Sequence, residues 1–238
     1  MQIKTEDFTY QHGGRTFAGY LAWNADLHEQ RPGIAIVHEW FGPGDNVKRR
    51  ARMLAELGYV GFAVDMYGVD VRPTNPGEAA AAMNDVQADR EELRARLKTA
   101  IHVLQNDDRV DALQVAAIGY CFGGGCVLEL ARSGAELAGV VSFHGALQTS
   151  LPAQAKPNAK ILVLHGADDP FVDPPKIATF MAEMRAVHAD WQMVYYGGAV
   201  HSFTNPQAHD LQAGFCFDAK ADARSWMHMR TFFIELFA

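Results

Sequence analysis

Short, uninterrupted apolar runs alternate along this chain with longer segments whose apolar residues recur every three or four positions. Gly33 to His38 (Gly-Ile-Ala-Ile-Val-His) and Tyr59 to Val64 are continuous runs of the kind found in strands buried on both faces. Residues 113–118, 137–143, 160–165 and 191–196 also read as strands. Residues 45–57 place Val47, Met53, Leu54 and Leu57 at roughly helical spacing, with Gly58 as the cap. Residues 78–105 read as a long helix or a broken pair, with Leu93, Leu97, Ile101 and Leu104 on one stripe. Helices are also expected over 124–132, 174–188 and 219–236. Residues 7–23 predict two short strands joined at Gly13-Gly14. The Gly-, Pro- and Asn-rich stretch 66–77 predicts a loop. Strands alternating with helices imply an α/β domain whose mostly parallel central sheet is covered by helices on both faces. No repeat, low-complexity tract or composition shift marks a linker, so a single domain over residues 1–238 is expected.

Composition narrows the function classes. The chain has 238 residues, 49% of them hydrophobic, enough for a sizeable core. Net charge is −7 and no basic run is longer than Lys48-Arg49-Arg50, which argues against nucleic acid as a partner. The polar, acidic start (Met1 to Asp7) does not resemble a signal-peptide core, and no apolar run approaches the ~18 residues of a membrane helix. Three cysteines, Cys121, Cys126 and Cys216, are too few and scattered for a disulfide framework. A reducing, cytoplasmic setting is expected, and it would keep a reactive thiol usable.

The chemistry gathers where the strands end. Gly119-Tyr120-Cys121-Phe122-Gly123-Gly124-Gly125 follows an apolar run and precedes a helical stretch, the layout of a nucleophile elbow with cysteine in place of the usual serine. Cys126 and Cys216 read instead as small buried hydrophobes. Three other polar features follow strand ends: His38-Glu39-Trp40-Phe41-Gly42, Asp168-Asp169, and His201. The order nucleophile, acid, histidine suits Cys121 as attacking thiol and His201 as the group that manages its proton. The chain has ten histidines. His201 stands out among them because it closes the glycine-bearing loop Gly197-Gly198-Ala199-Val200-His201. His12, His28, His102, His188 and His209 read as surface or helix-face residues. Asp168, Asp169 and Asp173 compete for the acid. The common hydrolase register His-Gly-x-x-Asp-Pro-x-Val selects Asp169, leaving Asp168 as a loop-capping or solvated carboxylate.

Together these residues resemble the dienelactone hydrolase family of α/β-hydrolases, over nearly the whole chain. The most specific parts are Gly-Tyr-Cys-Phe-Gly-Gly, Glu-Trp-Phe-Gly after the third strand, and Gly-x-x-His-Ser-Phe. The resemblance implies the α/β-hydrolase fold and a Cys-His-Asp triad. It also implies that Glu39 contacts the thiol, and that the N–H groups of Phe122 and Trp40 form the oxyanion hole. A carboxylate beside a thiol disfavours the thiolate, so Glu39 would hold Cys121 unreactive until substrate displaces it. The other reading of Glu39 is a structural carboxylate tied into its loop.

Cysteine also restricts the substrate. Thiolate is a better leaving group than an ordinary alkoxide, so attack on an ordinary ester mostly reverts. Enol lactones and aryl esters, whose leaving oxygen is stabilised, turn over productively. The family's carboxylated substrates are held by arginines, and here the chain departs from the pattern. Asn205 stands where one arginine is expected, four residues after His201, and Glu78 aligns near the other. Arg72 or Arg90 are the available substitutes. Trp40, Phe41, Tyr67, Tyr120, Phe122, Phe171 and Phe203 are expected to line an aromatic pocket, or else to pack in core and loops. The chain is therefore expected to hydrolyse lactones or activated esters, without cofactor, as a monomer or small homo-oligomer. The alternative is a non-catalytic ligand-binding or redox-sensing protein on the same fold. A metal centre has little support: no Cys-x-x-Cys or His-Glu-x-x-His occurs, and His201 and His209 lie in a loop-like segment. Nucleotide binding has none, because Gly119 to Gly125 lacks both glycine-loop signatures.

Overall fold

The computed structural model describes residues 1–238. The chain groups into two compact units, residues 1–118 and 119–238. In the first, β1 (Ile3–His12) and β2 (Arg15–Asn24) form an antiparallel hairpin, longer than the pattern suggested. Gly13 and Gly14 turn it with φ of 55° and 76°, the positive values a two-residue hairpin loop demands. Strand β2 pairs antiparallel with β4 (Val60–Val64), which pairs parallel with β3 (Arg31–Val37). Both β3 and β4 are almost wholly buried, as their continuous apolar runs require.

Helix α1 (Asp45–Glu56) crosses between β3 and β4 and lies directly on β4. A Cβ added at Gly61 would come within 2.6 Å of the Ala51 carbonyl, so this glycine admits the helix backbone itself. The ambiguous segment is a broken pair, α2 (Pro76–Ala88) and α3 (Arg90–Gln105). Asp89 makes the break. Its extended backbone ends α2, and its side chain accepts the Glu92 N–H at 3.0 Å to cap α3. Leu93, Leu97, Ile101 and Leu104 are buried along α3.

Strand β5 (Val110–Tyr120) runs across the division between the units. In the second unit, α4 (Phe122–Arg132) packs on β6 (Gly139–Phe143), and β6, β7 (Lys160–Gly166) and β8 (Trp191–Tyr196) pair in parallel. Helices α5 (Pro174–Ala186) and α6 (Ala219–Leu236) complete it. The far end of α4 is tied down by a buried ionic knot. Arg132 meets both oxygens of Glu183 at 2.9 Å and Glu129 at 3.3 Å, and donates to the Leu147 carbonyl at 2.7 Å. Removing one partner of such a buried pair typically costs about 3–5 kcal/mol.

A small hairpin went unforeseen: β9 (His209–Asp210) pairs with β10 (Phe215–Cys216). Two-residue strands are too short to show any hydrophobic period. They nevertheless pin the loop after β8. The His201 N–H donates to the Gly214 carbonyl and the Cys216 N–H to the His201 carbonyl, each at 3.1 Å.

Candidate active site

The site begins with a strained turn. Strand β5 ends and α4 starts at Cys121, whose backbone sits at φ 55°, ψ −115°. A non-glycine residue holds such a conformation only where its surroundings enforce it. Here close packing does so. A Cβ on Gly119 would lie 2.0 Å from the Gly123 carbonyl oxygen, and one on Gly124 would lie 2.7 Å from the Gly145 Cα. Strand end, helix start and the loop after β6 therefore touch backbone to backbone, and the Cys121 side chain is left partly exposed.

His201 arrives from the loop after β8, and its Nε2 lies 3.1 Å from the Cys121 sulfur. On the other side of the ring, Nδ1 donates to Asp169 Oδ2 at 2.8 Å. Of the three acidic candidates only Asp169 makes this contact. Its side chain has no exposed surface, and its other oxygen accepts the Phe171 N–H at 2.9 Å, which locks the carboxylate. Asp168 is exposed, and Asp173 caps α5.

This chain of bonds sets the charge on His201. Burial opposes protonation most strongly. The Coulombic pull of the Cys121 sulfur, the hydrogen bonds to Asp169 and Cys121, and the Asp169 charge outweigh it and push the imidazole up to about 10. His165, also buried and close to Asp169, moves the other way: burial holds it below its ordinary value, and the charge on His201 adds to that.

In the first unit, His38 is fully buried and its pKa falls to about 4, chiefly through burial. Its Nε2 accepts the Met66 N–H at 3.1 Å, so Nδ1 carries the proton and donates to the Glu39 carbonyl. Glu39 Oε2 accepts from Asn46 Nδ2 at 3.4 Å. Tyr67 donates its hydroxyl to the Trp40 carbonyl at 2.7 Å. The loop carrying Glu39 and Trp40 is thus held by two buried side chains.

Several expected pocket residues serve elsewhere. Tyr120 and Phe203 have no exposed surface, and Phe122 and Tyr67 have almost none. Tyr120 stacks on Phe143 with centroids 4.5 Å apart, and Phe203 packs against His144 and Tyr196. They correct the aromatic-pocket expectation, because strand ends and loop cores enclose them. Phe41 and Phe171 are exposed, and the Phe171 ring stands edge-on to His201 at 5.2 Å. Arg72 is engaged with Asp65 at 2.8 Å and with the Gly68 and Val71 carbonyls, which answers Asp65's buried charge rather than offering a cation to a ligand. Cys216 is only half-buried, unlike Cys126.

Sequence reasoning passed over His144. It follows the end of β6, so the same strand-end rule would have found it. Its Nδ1 lies 3.1 Å from the Cys121 nitrogen, and its Nε2 lies 2.8 Å from Thr204 Oγ1.

Comparison with known proteins gives the family of the chain. The model of the dienelactone hydrolase family matches residues 17–237, spanning both units. The solved structure m3DLH is 39% identical with a TM-score of 0.95, and the match covers 99% of each chain. A dienelactone hydrolase-like promiscuous phosphotriesterase from metagenomic libraries is 38% identical with a TM-score of 0.92, again over 99% of each. A putative carboxymethylenebutenolidase of Synechocystis is 27% identical over 98% of this chain and 97% of its own length.

The raised value of His201 makes a prediction about pH. A histidine shifted upward stabilises the fold fully below its ordinary value of 6.5, and the contribution fades as pH rises toward about 10. Asp169→Asn removes part of the cause. The His201 titration, followed by NMR of the ring protons, should move down, so the stability contribution should be smaller and its loss should be complete at lower pH. An unmoved titration would place the source of the shift elsewhere.

Proposed function

The chain belongs to the dienelactone hydrolase family and is a carboxylic ester hydrolase of α/β-hydrolase fold, and from that premise we propose that it hydrolyses lactones or activated esters through a thioester on Cys121. The observation that carries the reading is the continuous chain from Asp169 through His201 to the sulfur, at 2.8 Å and 3.1 Å. In this mechanism the Cys121 thiolate attacks the substrate carbonyl carbon. The N–H groups of Phe122 and Trp40 hold the resulting oxyanion; the Phe122 N–H opens α4, where helix geometry supplies no internal acceptor. His201 gives its Nε2 proton to the leaving oxygen as the carbon–oxygen bond breaks. It then takes a proton from water, which attacks the thioester and releases the acid and the thiolate. Asp169 holds the imidazole's tautomer and stabilises its charge. Glu39 opposes the thiolate until substrate displaces it.

The substrate in this reading is an uncharged enol lactone or aryl ester. No lysine or arginine occurs in residues 144–155, 166–175 or 197–219, the loops around the triad's histidine and acid. Asn205 is built into its own turn, its side-chain oxygen accepting the Gln207 N–H at 2.9 Å. A phosphotriester is a second substrate class to try, because the relative bearing that activity in its name aligns along almost the entire chain. We place the protein in the cytoplasm, acting as one hydrolase domain over residues 1–238 and as a monomer or small homo-oligomer. No helix is long and apolar enough to cross a membrane.

Three measurements test this reading. Cys121→Ala should cut turnover of p-nitrophenyl acetate by at least about 10³-fold with the fold retained, and undiminished turnover would sink the nucleophile assignment. Glu39→Gln should speed iodoacetamide alkylation of Cys121 near neutral pH. The same rate across pH in both proteins would remove Glu39 from the mechanism. Asn205→Arg should lower KM for carboxylated lactones and leave neutral ones alone; no gain would mean that position 205 does not face the substrate.

A further inference from the structure

His144 lies in the second unit, has no exposed surface, and holds a left-handed backbone at φ 41°. Such a conformation in a non-glycine residue signals a constraint imposed by the surroundings. The side chain explains it. The Cys121 N–H is shared between the Phe143 carbonyl at 3.0 Å and His144 Nδ1 at 3.1 Å. A ring nitrogen that accepts carries no proton, so the imidazole is the neutral tautomer with its proton on Nε2. Nε2–H then donates to Thr204 Oγ1 at 2.8 Å. Thr204 is itself fully buried and lies three residues beyond His201 in the same loop. The ring also stands edge-on to His201, centroids 5.2 Å apart, and packs on Phe203 at the same distance.

One rigid ring therefore reaches from the backbone of the elbow to the loop that carries His201. We propose that His144 is a positioning residue: by bonding Cys121 N at one end and Thr204 at the other, it sets the separation between the Cys121 sulfur and His201 Nε2. The inference rests on the reading of Cys121 as nucleophile and His201 as its base. No step of the reaction passes through His144. Loss of register between a nucleophile and its base by about 1 Å costs on the order of 10²-fold in rate. Because substrate binding does not use the ring, the loss should fall on kcat and spare KM.

The test uses the full chain with p-nitrophenyl acetate as probe, and four variants: His144→Leu, His144→Asn, Thr204→Val, and His144→Leu combined with Thr204→Val. Asparagine tolerates the left-handed backbone, and its Oδ1 retains an acceptor for the Cys121 N–H. His144→Leu should lower kcat by on the order of 10²-fold with KM changed less than threefold. It should also slow iodoacetamide alkylation of Cys121, because the sulfur loses alignment with His201. His144→Asn should recover at least tenfold of the lost kcat. Thr204→Val should lower kcat alone and add nothing in the His144→Leu background, since both changes cut the same link. Wild-type kcat in His144→Leu, or losses that simply multiply in the double variant, overturns the proposal. Should His144→Leu fail to fold, kcat and alkylation rate in His144→Asn and Thr204→Val decide it: wild-type values in both overturn it, while a loss in Thr204→Val at unchanged KM upholds it. Failure of the underlying reading looks different, because Cys121→Ala then remains active whatever the His144 variants do.

Discussion

The backbone of Cys121 is the constraint on which the second unit's chemistry turns. A φ of 55° costs on the order of 1–3 kcal/mol unless the surroundings leave no alternative. Gly119 and Gly124 remove the alternatives by letting strand, helix and neighbouring loop meet without side chains between them. The Arg132 knot holds the other end of the same helix. With both ends of α4 anchored, the thiol projects from a fixed point, and every other group is placed relative to it.

The buried histidines show what decides charge in this protein. His38 and His165 are pulled below their ordinary values because burial dominates, although Asp65 and Asp169 lie near enough to oppose it. His201 suffers the same burial but has a carboxylate in direct hydrogen bond on one side and the Cys121 sulfur in hydrogen-bond contact on the other. Proximity to an acid does not suffice; direct bonds on both ring nitrogens do. The neutral His144 beside His201 adds no competing charge.

On the proposed thioester route, cysteine favours esters with good leaving groups, and the loops that carry Asp169 and His201 hold no lysine or arginine to receive an acidic substrate. Both features come from residue types, and each bears on the proposed substrate independently of the other. Phe171, exposed and edge-on to His201, adds an apolar surface beside that histidine.

The order of strands and helices was legible in residue order alone, because buried strands and amphipathic helices each leave a period in the sequence. The elbow was legible too, since only small residues permit its close approach. The sequence register also singled out Asp169, the carboxylate that bonds His201. Other features needed three dimensions. The break at Asp89 depends on a side-chain cap that the apolar stripe does not reveal. The hairpin at 209–216 is too short to have a period. Tyr120 and Phe203 looked like pocket residues, but an aromatic ring serves a core or a cleft equally well, and only packing tells which. The pairing of Arg72 with Asp65 likewise leaves no mark in the sequence. His144 lies 23 residues from the thiol it supports. Spacing along the chain carries no trace of such a contact, because it exists only where two neighbouring loops are brought together by the sheet beneath them.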